Sequence, residues 1–259
     1  MNDKVRILQT HVSRYNLSET MEKMSSAIED GRRLRIAVTP VNCLLWARKN
    51  RELNDIYNSA DIVTADGVPV VWASRFLSRP IKGRVTGLDL LPAFSEIAAR
   101  KKFSFFFLGA SEGVAEKLAD KLKRAFPELN IAGTWSPPFR EQFSDEENRE
   151  MIERINRSGA DVLWVSLTAP KQDFWIAQHF DELQVPVAIG VGAAFDVVAG
   201  NIPRAPLWMQ RNGLEWLYRL LKEPGRLSKR YLFEAPQFIP LMIKQIITSS
   251  KKEINHEKK

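Results

Sequence analysis

Short apolar runs recur along the chain at Leu34-Arg-Ile-Ala-Val-Thr39, Ile62-Val-Thr64, Phe103-Ser-Phe-Phe-Phe-Leu108, Asp161-Val-Leu-Trp-Val-Ser-Leu167 and Val185–Val191. Each has the length and the near-continuous hydrophobicity of a strand buried on both faces. Amphipathic stretches separate them. Asn16-Leu-Ser-Glu19 has capping-box spacing and starts a helix that runs to about Asp30. Further helices are predicted from Cys43 to Asn50, after Pro69, from Gly87 to Arg100, from Gly113 to Phe126, from Ser144 to Ser158 and after Pro170. A short strand is expected at Asn130–Ala132, followed by a loop, Gly133-Thr-Trp-Ser-Pro-Pro138. Strands alternating with helices predict an α/β fold, a mostly parallel sheet with helices on both faces. After about Pro206 no strand pattern appears. The expected organisation is therefore an α/β core over 1–206 and a basic, aromatic-rich helical appendage over 207–259, polar and frayed from Ser249 on.

Composition narrows the function classes. With 44% hydrophobic residues among 259, the chain can bury a sizeable core. The single cysteine, Cys43, excludes an intramolecular disulfide and a cysteine cage for a metal, and suits a reducing compartment. The amino terminus has no signal-peptide core, and the most apolar late segment, Phe238–Ile247, is interrupted by Pro240 and Lys244. A cytoplasmic protein, or one peripheral to a membrane, is expected. The net charge of +7 favours anionic partners.

Candidate chemistry gathers at predicted strand ends, the edge where open α/β sheets bind ligands. Asp66, between Ile62-Val-Thr64 and the helix opened by Pro69, is placed to act as a general base; capping that helix is the plainer role for it. Thr39 and Asn42 follow the first strand, Gly109, Ser111 and Gly113 the third, Gln172 the next, and Gly192 and Asp196 the last. Phe107-Leu-Gly-Ala-Ser-Glu-Gly113 sets small residues before a helix start, where backbone N–H groups can hold a phosphate. Asp196 is placed to accept from ribose hydroxyls or to cap its helix. The three histidines are scattered and no Asp-x-Asp occurs, so no metal site or other cofactor is expected. Phosphates would then be neutralised by arginine, which Arg204, Arg211, Arg219, Arg226 and Arg230 supply, interleaved with Trp208, Trp216, Tyr218 and Phe233. Such interleaving suits an anionic membrane surface or a single-stranded nucleic acid. A non-enzymatic nucleic-acid-binding protein therefore stands as an alternative. An NAD-type oxidoreductase is a weaker one, because the Gly-x-Gly-x-x-Gly fingerprint is missing.

Seven stretches occur together in one order: Thr64-Ala-Asp-Gly-Val-Pro-Val-Val-Trp72, Arg84-Val-Thr-Gly-Leu-Asp-Leu90, Phe107-Leu-Gly109, Pro170-Lys-Gln172, Gly190-Val-Gly-Ala-Ala-Phe-Asp-Val-Val-Ala-Gly200, Arg204-Ala-Pro206, and Gly213-Leu-Glu-Trp-Leu-Tyr-Arg219 with Glu223-Pro-Gly-Arg226. In that set the chain resembles the WecG/TagA/CpsF glycosyltransferases, family 26, from about Ile36 to Arg230. The resemblance implies a Rossmann-like sheet and an inverting, metal-independent transfer of a sugar, of N-acetylmannosamine type, from a UDP donor. It implies a polyprenyl-diphosphate-linked saccharide as acceptor, at the inner face of the cell membrane, and no nucleic-acid partner; it leaves homo-oligomer formation open. It implies Asp66 as the base, Thr39, Asn42, Arg84 and Gln172 as substrate contacts, and Arg219, Arg226 and Arg230 as appendage arginines at the site. The family's Thr-x-Asn reads Thr39-Pro-Val-Asn42 here, and its Gly-x-Pro-Lys-Gln-Glu reads Thr168-Ala-Pro-Lys-Gln-Asp173.

Overall fold

The structure is a computed structural model that describes residues 3–77 and 79–257. In chain order the elements are β1 (Lys4–Ile7), β2 (Thr10–Ser13), α1 (Leu17–Glu29), β3 (Leu34–Pro40), α2 (Val41–Lys49), α3 (Arg51–Asn58), β4 (Ile62–Asp66), α4 (Val68–Arg75) and α5 (Gly87–Lys101). There follow β5 (Ser104–Gly109), α6 (Val114–Ala125), β6 (Asn130–Trp135), α7 (Asp145–Ser158), β7 (Val162–Ser166), α8 (Lys171–His179), β8 (Val187–Gly190) and α9 (Ala194–Ala199). The rest is helical: α10 (Leu207–Arg211), α11 (Glu215–Lys222), α12 (Pro224–Ser228), a π-helical turn over Lys229–Glu234, a 3-10 turn over Ala235–Gln237, and α13 (Phe238–Glu257).

The six strands β3 to β8 form one sheet in the order β4-β3-β8-β7-β5-β6, with every neighbouring pair parallel. This is the α/β architecture that the alternating pattern predicts. Its strands alternate between two buried faces. Ile36, Val38, Ile62, Phe105, Phe107, Trp164 and Ile189 pack with α1, α5, α6 and α9. Ala37, Val63 and Ala65 pack with α2, α3 and α4, and Phe106, Leu108, Leu163 and Val165 with α7 and α8. No face is left to water, which is why the runs read as continuously apolar. The chain leaves β3 for β4 on one side, while β8 pairs with β3 on the other. The topological switch, where a ligand crevice opens above the strand ends, therefore lies between β3 and β8.

Several local expectations change. The antiparallel hairpin β1–β2 is not evident in the pattern, since its strands are four residues each and contribute little period. Asn50, expected to end a helix, has extended backbone and its side chain accepts from the N–H of Leu53, so a separate helix, α3, follows at once. β6 runs on to Trp135, through residues expected in a loop, because Gly133 passes over the Phe106 ring where a Cβ would lie 2.6 Å from it. The capping box at Asn16 and Glu19 forms as predicted. The tail expected to fray from Ser249 continues α13 to Glu257, and residues 258–259 lie outside the described residues. Among the described residues no helix is long and apolar enough to cross a membrane. Phe238 and Met242 of α13 are buried against the α2–α4 side of the core.

Candidate active site

Asp66 is the last residue of β4, opposite Pro40 of β3, and not part of the following turn as the pattern suggests. The residue that caps α4 is Gly67, at φ +137, and the cap has no side-chain hydrogen bond. Asp66 thus does not serve as a helix cap, and among the described residues its carboxylate accepts no hydrogen bond. Burial pushes its pKa up to about 6; Arg84, Arg230 and Arg219 pull it down, and Glu215 pushes it further up. A carboxylate that titrates near neutrality without a structural partner is suited to take a proton.

The arginines around it are in two states. Arg84 donates to Asp89 and to Glu215, each at 3.2 Å. Arg204 donates to Glu215 through Nε at 3.1 Å and forms a second ion pair with Asp89. These four side chains close a ring of alternating charge, 11–28% exposed, that ties the segments before and at the start of α5 to α11. By contrast the Nε atoms of Arg219 and Arg230 are buried with no hydrogen-bond partner, as is Oε1 of Glu223. A buried guanidinium N–H without an acceptor is costly, roughly 1–3 kcal/mol, and points to an anion that completes the site. Arg230 lies on the π-helical turn, whose extra residue per turn re-aims side chains and which is common at functional sites. Arg226 instead faces solvent, 53% exposed, and pairs with Glu223 at 2.5 Å.

The remaining sequence-derived positions line the carboxyl edge. Thr39 is buried and its hydroxyl donates to the Thr64 carbonyl at 2.7 Å, fixing the end of β3 to β4. Asn42 is buried in the first turn of α2. Gln172, also buried, accepts from the Gly192 N–H at 3.0 Å and packs so closely on Gly190 that a Cβ there would lie 2.8 Å from its Nε2. Gly109, at φ +103, touches the Ser166 carbonyl where a Cβ would lie 2.5 Å away; only glycine fits. Ser111 is exposed in the turn before α6; its carbonyl accepts from the Val114 N–H at 3.0 Å, and the helix start has no side-chain cap. Asp196 lies in the first turn of α9; its backbone carbonyl accepts from Asn201 and Ile202, while its carboxylate accepts no hydrogen bond among the described residues.

Asp89 and Glu215 belong to the site's framework and are not singled out by sequence reasoning, although both lie within the stretches that carry the resemblance; Arg204, expected as a phosphate-neutralising arginine, is instead paired with both of them. The signal of these two acids, one in the first turn of α5 and one in the first turn of α11, is that the fold brings them to the same pair of arginines. Asp173 is a second case: buried, it accepts from the Tyr57 hydroxyl at 3.2 Å, and burial raises its pKa to about 7, opposed by that bond and by Arg35. Among the described residues no three His, Cys, Asp or Glu side chains gather where they could share a metal ion.

A profile described as the "Glycosyl transferase WecG/TagA/CpsF family" matches residues 5–252. The chain belongs to this family of glycosyltransferases. It is similar to an N-acetylglucosaminyldiphosphoundecaprenol N-acetyl-beta-D-mannosaminyltransferase of Bacillus spizizenii, 34% identical over 208 residues that cover 79% of this chain and 77% of the relative. Proteins of the same name from Bacillus subtilis (30% identical, 77% and 75% covered) and Staphylococcus aureus (28% identical, 89% and 90% covered) also match. A transferase of this family replaces the nucleic-acid-binding and oxidoreductase alternatives.

Proposed function

We propose that this glycosyltransferase moves an N-acetylmannosamine-type sugar from a UDP donor to a sugar hydroxyl of a polyprenyl-diphosphate-linked acceptor, with inversion and without a metal ion. The observation that carries the reading is Asp66: a carboxylate with no hydrogen bond, raised to about pKa 6, beside two arginines whose Nε atoms lack partners. Asp66 takes the proton of the acceptor hydroxyl as its oxygen attacks the anomeric carbon. The bond from that carbon to the donor's β-phosphate oxygen breaks on the opposite face, and the electron pair leaves with UDP. Arg219 and Arg230 neutralise the charge that develops on the diphosphate, in a water-poor site where such contacts count most. Arg84 holds α11, the helix that bears Arg219, in place through Glu215. The glycine turn at Gly109 and Gly192, with Ser111 and Asp196, receives the nucleoside. Arg226 faces outward toward the acceptor diphosphate or the lipid.

The names of the relatives support a lipid-linked acceptor. Exposed Trp208, Trp216, Leu221, Leu232 and Phe233 among basic side chains suit an anionic bilayer at the inner membrane face. In this reading 207–259 acts as a membrane-proximal unit of the catalytic site. The test is transfer from a panel of UDP-sugars to a lipid-linked diphosphate N-acetylglucosamine, with excess EDTA in parallel. Transfer from a UDP donor, undiminished by EDTA, is expected. Absence of transfer from every UDP-sugar, or a strict need for added Mg²⁺ or Mn²⁺, would overturn the reading.

A further inference from the structure

Two successive residues in the first turn of α8 reach in different directions. Gln172 reaches β8, beyond which its amide accepts from the Gly192 N–H at 3.0 Å. Asp173 reaches α3, where its carboxylate accepts from the Tyr57 hydroxyl at 3.2 Å. Both members of this second pair sit inside the core, Tyr57 fully buried and Asp173 5% exposed. The Tyr57 hydroxyl also meets the buried Cys43 thiol, and the Asn42 amide nitrogen lies 4.0 Å from that sulfur. A polar chain thus runs from Asn42 on α2 through Cys43 and Tyr57 to Asp173, next to Gln172. Its two ends are the amide side chains that the family resemblance implies as substrate contacts, and the mechanism gives its middle no part. A carboxyl in a hydrophobic cluster is costly unless a partner holds it. The start of α8 has no side-chain cap, so two buried side-chain bonds, one toward β8 and one toward α3, fix its first turn.

We propose that Asp173 is a positioning residue for the transfer reaction: held by Tyr57, it sets the first turn of α8 so that Gln172 stays on Gly192 and meets the donor there. Consecutive helical residues point about 100° apart around the axis, so a rotation that releases Asp173 from Tyr57 also moves Gln172. Gln172 has little freedom of its own, since a Cβ on Gly190 would lie 2.8 Å from its Nε2. A shift of α8 is therefore passed on to Gly192 and not absorbed by the side chain. Burial raises the Asp173 pKa to about 7, opposed by the Tyr57 bond and by Arg35 on β3. At pH 6 the carboxyl is then mostly neutral, and an asparagine offers Tyr57 the same acceptor. The inference rests on the donor reading above and adds to it a residue that touches no substrate.

The test compares the full-length wild type with Tyr57→Phe, Asp173→Ala and Asp173→Asn at pH 6, by amide hydrogen exchange resolved at Gly192 and by calorimetric titration with UDP. In Tyr57→Phe and Asp173→Ala the Gly192 N–H should exchange at least tenfold faster. The neighbouring Val191 N–H, bonded to the Val165 carbonyl at 2.8 Å, should keep its wild-type rate. UDP should bind at least tenfold more weakly in both variants, and KM for the donor should rise while kcat changes less than threefold. Asp173→Asn should keep Gly192 protection and UDP affinity within threefold of wild type. Phenylalanine preserves the packing of the tyrosine ring, so Tyr57→Phe carries the test should Asp173→Ala not fold. A purely structural role would speed exchange at Val191 and Gly192 alike, or leave both unchanged, and either result overturns the proposal. So does an asparagine variant as impaired as Tyr57→Phe, or UDP affinity unchanged despite a freed Gly192 amide. Failure of the wild type to bind UDP would count against the donor reading instead, and Gly192 exchange alone would then decide whether Asp173 anchors Gln172.

Discussion

Asp66→Asn separates a catalytic carboxylate from a structural one because it should move activity and stability in opposite directions. Asparagine has the same shape and no charge, and no described hydrogen bond is lost. Loss of a positioned general base lowers turnover about 10²–10⁴-fold. The stability effect follows from the raised pKa, from 3.8 to about 6. The folded state binds the proton more tightly than the unfolded one, so the neutral form is favoured by folding below the unfolded value. That contribution is lost as pH rises through about 6. At pH 7.5 the ionised carboxylate therefore costs about 3 kcal/mol at most, at about 1.4 kcal/mol per pH unit. The asparagine variant removes that cost. At about 2–4 °C per kcal/mol for a chain of this size, its Tm at pH 7.5 should rise by several degrees, and the gain should vanish below pH 4. Turnover of lipid-linked acceptor and thermal melts at two pH values measure both. A folded variant with near-wild-type turnover, or one that melts lower at pH 7.5, would refute the reasoning. In the wild type, kcat/KM should fall about tenfold per pH unit below an apparent pKa near 6.

Arg219→Ala and Arg230→Ala should each weaken UDP binding or turnover roughly 10- to 100-fold, the worth of one charge-assisted hydrogen bond, while leaving the melting temperature unchanged or higher, since each removes a buried unpaired N–H; calorimetric titration with UDP checks this. Glu215→Gln breaks the charge ring and leaves two guanidinium groups facing a neutral amide, so hydrogen exchange in α11 and α12 should rise while exchange in the sheet does not; the cost is roughly 3 kcal/mol, the low end for a buried pair. The stability lent by neutral Asp66 and Asp173, whose values are raised to about 6 and about 7, should be full below about pH 4, fall as pH rises toward 7 and level off above it; chemical denaturation from pH 4 to 8 measures it. Gly109→Ala drives a Cβ into the Ser166 carbonyl and forbids φ +103, so UDP binding should be lost together with some stability.

The sequence by itself determined the layer architecture, because strands buried on both faces must be apolar throughout and the helices between them amphipathic. It also determined the capped start of α1 at Asn16, a local bond between residues three apart. The family was legible in seven ordered stretches, and Asp66 was marked as a candidate by its place at a strand end. What the local pattern left open was whether Asp66 caps α4. That was decided by backbone geometry: the strand runs two residues beyond Ile62-Val-Thr64, and Gly67, at a φ only glycine adopts readily, takes the cap position. Tertiary structure alone paired Arg84 and Arg204 with Glu215, over 131 and 11 residues of chain. It also distinguished Arg219 and Arg230, whose buried Nε atoms have no acceptor, from Arg226, which has one. In sequence these three arginines look alike. Ion pairing and burial depend on which side chains the fold carries to the same place, and no periodicity along the chain encodes that.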